Sequence, residues 1–278
     1  MTYGSDRAFI GVSALLFVAS ATLTIAWCAS MSAMGGMPMP GGWSMSMAWM
    51  RLPGQTWPGV AASFVGMWAA MMAAMMLPSL VPTLCRYRRA IVRSTVSAGS
   101  TASRAEPQRR QPEVRLGWLT ALVGLGYFFV WTMLGMAAFP LGTALAAIAM
   151  RHPALARAVP SAVGVVVLIA GLIQFTAWKA HHLACCRAAP GPGRALTPDF
   201  GTAWRLGCRH GLHCSQSCAG PMAILLVTGV MDLRAMAVVT VAMTLERFAP
   251  GGEQVARALG AIAVGAGLLL IAQAAGPA

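Results

Sequence analysis

The chain has 278 residues, of which 58% are hydrophobic and 10% charged, with a net charge of +13. Soluble domains carry about 25% charged residues, so an ordinary soluble enzyme is excluded. A disordered chain is excluded as well, because it would need low hydrophobicity. The composition points to an integral membrane protein.

In chain order, the first apolar run is Phe9–Cys28. It is read as a membrane helix. As a cleaved signal it would have a long apolar core, and its charged start is weak, since Asp6 offsets Arg7. Val60–Val81, Gly117–Phe139, Val159–Ala177 and Val255–Ala275 follow. Each matches the ~20 residues that cross a bilayer. Between the last two lie Gly211–Met231, the polar knot Asp232-Leu233-Arg234, and the shorter run Ala235–Leu245. A continuous helix here would bury Asp232 near mid-membrane at about 2.5–3.5 kcal/mol. A turn at Asp232 avoids that cost and gives seven membrane segments; six is the alternative. The fold class is therefore all-α, a polytopic transmembrane helix bundle, because lipid offers no partner to unpaired backbone groups. Residues 1–59 form the first helix and a Met-rich loop. Residues 60–278 form a helical membrane domain with a linker over 82–116 and a Cys/His segment over 179–218. Ser94–Pro112, rich in Ser, Thr, Arg and Gln, reads as a flexible part of that linker.

Basic residues set the direction. Arg86, Arg88, Arg89, Arg93, Arg104, Arg109, Arg110 and Arg115 follow the second span. Lys179, Arg187, Arg194, Arg205 and Arg209 follow the fourth. These two loops hold 13 of the 20 Lys and Arg residues. By the positive-inside rule they face the cytoplasm, and so does the N-terminus, in a bacterial inner membrane. The charge is thus a topology signal and an attraction to anionic lipid, and no nucleic-acid partner is expected.

Sulfur and imidazole are concentrated in two places. Met31, Met34, Met37, Met39, Met45, Met47 and Met50 fall in or beside the first external loop, which Gly and Pro make flexible. Met67, Met71, Met72, Met75 and Met76 follow in the second span, with Met67, Met71 and Met75 on one helical face. Thioethers are neutral soft ligands that suit Cu(I). The plain alternative for the span is apolar packing. The second concentration is His181, His182, Cys185, Cys186, Cys208, His210, His213, Cys214 and Cys218. In a helix, His210, Cys214 and Cys218 share one face, which Met222 extends. Thiolate with imidazole binds Cu(I) or Zn²⁺; the alternative is reduced, buried cysteine acting as a small hydrophobe. No structural disulfide is expected on the cytoplasmic side.

Three blocks carry a family resemblance. The run Met67-Trp68-Ala69-Ala70-Met71-Met72-Ala73-Ala74-Met75-Met76-Leu77-Pro78-Ser79 is the first. Gln174-Phe175-Thr176 with Lys179 and Cys185 is the second. The third is Gly207, Arg209-His210-Gly211, Cys214 and Cys218, then Gly229-Val230-Met231-Asp232-Leu233 and Glu246. Together, over roughly residues 60–260, they resemble domain of unknown function 2182, described as predicted metal-binding integral membrane proteins. The resemblance implies metal binding by the Met and Cys/His motifs. The chain departs from the pattern at Ala177-Trp178, at Cys-Ser-Gln-Ser-Cys over 214–218, and at Asp232.

The leading reading is Cu(I) handling: transport, delivery or sensing, with thioethers outside and in the second span and Cys/His at the cytoplasmic edge. Copper is the expected ligand, with zinc as alternative. Expected partners are membrane lipid, the ion, and a membrane complex or a soluble metallochaperone. A second reading is a structural or assembly subunit of a membrane complex, and a third is a membrane thiol redox carrier. The chain lacks HExxH, GxSxG and a suitable carboxylate pair, and is read as a non-enzyme.

Overall fold

The computed structural model describes residues 3–51, 54–99, 110–188 and 199–276. In chain order these form α1 (Tyr3–Ala33), the strands β1 (Gly36–Met39) and β2 (Trp43–Ser46), a 3₁₀ turn (Met47–Trp49), α2 (Trp57–Gly99), α3 (Arg110–Arg151), α4 (Pro153–Ile173), α5 (Ala177–Arg187), α6 (Phe200–Ser217), α7 (Ala219–Thr228), α8 (Leu233–Phe248) and α9 (Gly252–Ala275). The fold is an all-α bundle with one antiparallel hairpin.

Five stretches are long and apolar enough to cross a membrane: Asp6–Ala33, Trp57–Ser94, Val114–Arg151, Pro153–Ile173 and Gly252–Ala275. The burial pattern is compatible with a lipid-facing bundle. Leu15, Leu16, Leu125, Leu141, Ile262 and Leu269 are exposed, while Lys179, Glu246, Gln174 and Arg88 are buried. Water would reward the opposite arrangement. Hydrocarbon tolerates apolar side chains outside and requires polar ones to be paired inside.

α2 has 43 residues and α3 has 42. At 1.5 Å per residue each is roughly 63 Å long, twice the hydrocarbon thickness. α2 runs on past its apolar span at the end that carries Arg86 and Arg89, whereas α3 continues mainly at its other end, through Pro140 to Arg151. The helical backbone therefore runs on past Val81 to Gly99 and resumes at Arg110; the rest of the Ser94–Pro112 linker, residues 100–109, lies outside the described residues. The two helices are antiparallel. Trp68 Nε1 donates to the Trp131 carbonyl at 2.8 Å, and the Phe64 and Phe139 rings lie 5.2 Å apart.

Glycine sets the closest contacts. A Cβ on Gly171 would lie 2.7 Å from the Val264 backbone nitrogen, and one on Gly207 would strike the Val123 carbonyl. These positions hold α4 against α9 and α3 against α6, with van der Waals packing as the source of cohesion.

The region after Gly211 is split twice. α6 ends at Ser217, and Cys218 is both its C-cap and the residue preceding α7. α7 ends at Gly229, whose φ of +134° is available to glycine without strain. The turn expected at Asp232 is present. Asp232 is exposed, and its Oδ1 accepts from the Arg234 and Ala235 amides at 2.8 and 3.2 Å, capping α8. Gly211–Met231 is thus two helical pieces.

The Met-rich loop is not loose, as its composition suggested. β1 and β2 pair from Gly36–Ser46 to Met39–Trp43. Met39 and Met45 are buried against Ala146, Ala149 and Ala156, and Trp43 Nε1 donates to the Ala156 carbonyl at 2.9 Å. Apolar thioethers on alternate hairpin positions found a surface to cover, namely the α3–α4 junction.

Candidate metal centre

The Met stripe of α2 faces inward. Met67, Met71, Met72, Met75 and Met76 are all at most 5% exposed. They share one apolar core with Cys186, Cys214, Cys218, Met222 and Tyr127. One turn beyond Met75 and Met76 stands Ser79, whose hydroxyl donates to the Met76 carbonyl at 2.9 Å. Pro78, beside it, has no N–H and interrupts the helical ladder there.

Arg247 of α8 points into this spot. Its Nη1 donates to Ser79 Oγ at 2.5 Å. Its Nη2 lies 2.7 Å from Cys214 Sγ and 3.0 Å from Cys218 Sγ. Tyr127 Oη is 2.8 Å from Cys214 Sγ. Cys214 and Cys218 stay one helical turn apart across the α6 end, since the Cys218 amide donates to the Cys214 carbonyl at 2.9 Å. Two sulfurs thus converge on one guanidinium inside a dry bundle.

A second buried network adjoins it. Lys179 Nζ donates to Glu246 Oε2 at 2.7 Å and to the Ser217 carbonyl at 2.5 Å. Gln174 Nε2 donates to Glu246 Oε1 at 3.0 Å. Lys179 and Glu246 are each 1% exposed. The network ties Gln174 at the end of α4, Lys179 of α5 and Glu246 of α8 to Ser217, the residue before Cys218. Arg187 closes the far side, donating to the Glu246 and Ala249 carbonyls at 3.1 and 2.7 Å, where a cation suits a helix C-terminus.

No curated protein and no solved structure matches the chain. A family model does: PpoB2, described as a copper chaperone, matches residues 65–270, or 206 of 278 residues. The chain belongs to this copper chaperone family. The matched region contains the Met stripe, all three buried cysteines of the core beyond Cys28, and Arg247.

The remaining expected donors of this copper chaperone family member are divided. Cys186 is buried and electrostatically close to Cys218 and Arg247. His182 and His213 meet at the surface, with Nδ1 atoms 3.2 Å apart, and Cys185 Sγ lies 3.7 Å from His181 Nε2. Burial, then the His213 and His181 rings, holds His182 below the usual imidazole range. His210 stacks on Tyr127, with centroids 5.6 Å apart. Cys208 is only partly buried on α6. The nine Cys and His residues therefore do not form one cluster. Among the described residues, no three His, Cys, Asp or Glu side chains are grouped closely enough to hold an ion. All seven cysteines are free thiols.

Arg247 and Tyr127 were missed from sequence. The available signal for Arg247 was its pairing with Glu246 inside a 16-residue, otherwise mostly apolar helix. Tyr127 carried none, because a lone tyrosine in an apolar span reads as packing.

Proposed function

We propose that this chain is an integral membrane Cu(I) chaperone whose inner site is the Cys214–Cys218 pair, with Cys186 and the Met75–Met76 thioethers as neighbouring donors. The observation that carries the reading is the convergence of two buried sulfurs on the Arg247 guanidinium. Thiolates and thioethers select Cu(I) over harder ions. With no metal present, Arg247 offsets negative charge on the sulfurs. Copper takes its place, and the guanidinium keeps Ser79 as an alternative acceptor. The Met67–Met71–Met75 face supplies weaker, neutral donors about 6 Å apart along the helix, so copper can pass along it and be retained at the thiols. The hairpin end faces outward, and the arginine-rich ends of α2 and α3 face the cytoplasm. The His182–His213 pair at the surface lies where a soluble partner could take or give the ion.

The test is Cu(I) stoichiometry of detergent-purified protein against a competing chelator. Cys214→Ser with Cys218→Ser should remove the tightest equivalent while the protein still folds. Full retention of that equivalent would sink the assignment.

A further inference from the structure

At the hairpin end, away from Cys214, a cavity of about 80 Å³ is lined by six methionines: Met31, Met34, Met47, Met50, Met67 and Met231. They come from α1 and its C-terminal turn, the 3₁₀ turn and the residue after it, α2, and the α7–α8 turn. We propose that this cavity is a second, thioether-only binding site for Cu(I). It goes beyond the cysteine reading and does not depend on it.

Four separate chain segments deliver the same side chain to one space. The hairpin methionines Met37, Met39 and Met45 instead pack against α3 and α4. The space is large enough for several water-sized guests. Met34 is 48% exposed at the mouth, and Met67 is 2% exposed at the base. Gln55 and Ser63 are the polar side chains of the lining, and it includes no carboxylate, imidazole or thiol. Such a lining does little to repay dehydration of Mg²⁺ or Zn²⁺, while a monovalent soft ion finds sulfur on several sides. Thioethers hold it without losing a proton, so binding changes little with pH. Met67 is also the first residue of the inward stripe. The cavity base thus meets the stripe about 18 Å along α2 from Ser79.

The experiment uses purified full-length protein, Cu(I) under anaerobic reducing conditions with a competing chelator, and Ag(I) as a redox-inert analogue. In a Cys214→Ser, Cys218→Ser background, one Cu(I) equivalent should remain, with an X-ray absorption edge and sulfur shell free of thiolate. Adding Met31→Leu, Met34→Leu, Met47→Leu and Met231→Leu should weaken it at least tenfold. Met39→Leu with Met45→Leu should leave it unchanged. Equal binding by the four-Leu variant overturns the proposal. A second measurement needs no variant: Ag(I) should slow peroxide oxidation of Met31 and Met34 severalfold in the wild type and leave Met150, exposed on α3, unaffected. Absence of protection, or equal protection of Met150, also overturns it. If the cysteine variant loses no copper but the four-Leu variant does, the inner site fails and this one stands.

Discussion

Lys179 and Glu246 offer the sharpest quantitative test of how the centre is held. Both are 1% exposed, and their contact is 2.7 Å. Lys179→Met leaves the Glu246 carboxylate with Gln174 Nε2, at 3.0 Å, as its remaining side-chain partner. Glu246→Leu leaves a buried ammonium on the Ser217 carbonyl. Stranding one buried charge costs about 3–5 kcal/mol, so the two single variants should sum to roughly 6–10 kcal/mol. The double variant has no stranded charge. It orphans the Ser217 carbonyl and the Gln174 amide, at about 1–3 kcal/mol each, and should cost roughly 2–6 kcal/mol. From the middle of these ranges the expected coupling is about 4 kcal/mol, well outside the error of additivity for independent sites. The assay is reversible SDS unfolding in bicelles, followed by tryptophan fluorescence. A double variant equal to the sum of the singles would refute the reasoning and make the pair two independent surface-like charges.

Three further outcomes are expected. Maleimide should modify Cys85, Cys185 and Cys208, which are partly buried, well before Cys28, Cys186, Cys214 and Cys218; mass mapping before and after denaturation checks the order. Gly207→Val should destabilise the protein by about 1–3 kcal/mol or more, because its Cβ meets the Val123 carbonyl, whereas Gly124→Ala, with open space around it, should be neutral or stabilising; thermal unfolding in detergent separates them. A topology reporter at Gly41 should score as external and one within 100–109 as cytoplasmic, and the reverse pattern would turn the copper path around.

What could be read from sequence followed from one-dimensional signals. Runs of apolar residues marked α1, α2, α3, α4 and α9, and the charge of Asp232 marked the turn. The spacing of Met67, Met71 and Met75 marked an inward face, and His210, Cys214 and Cys218 lie on successive helical turns. Long-range partners left no such trace. Arg247 meets Cys214 across 33 residues and Ser79 across 168. Tyr127 meets Cys214 across 87. The Met loop misled because glycine and proline count suggests disorder, while the pairing of Met37 with Met45 depends on a surface supplied by Ala146 and Ala156. Likewise, density of Cys and His in sequence suggested one cluster, but α5 and α6 turn Cys186 and Cys214 inward and His181 and Cys185 outward.

The break at Cys218 and the turn at Gly229 bear on how the protein is made. α7 has 10 residues and α8 has 16, each shorter than the ~20 needed to cross hydrocarbon unaided. Neither is long enough to span by itself, and the two form one helix–turn–helix unit joined over Gly229–Asp232. Cys218 sits at the start of that unit and Arg247 near its end. During biosynthesis the sulfur pair and its guanidinium therefore meet only once α8 has been made. A chain lacking α8 has Cys214 and Cys218 but not the guanidinium that joins them, so this centre is complete only after α8.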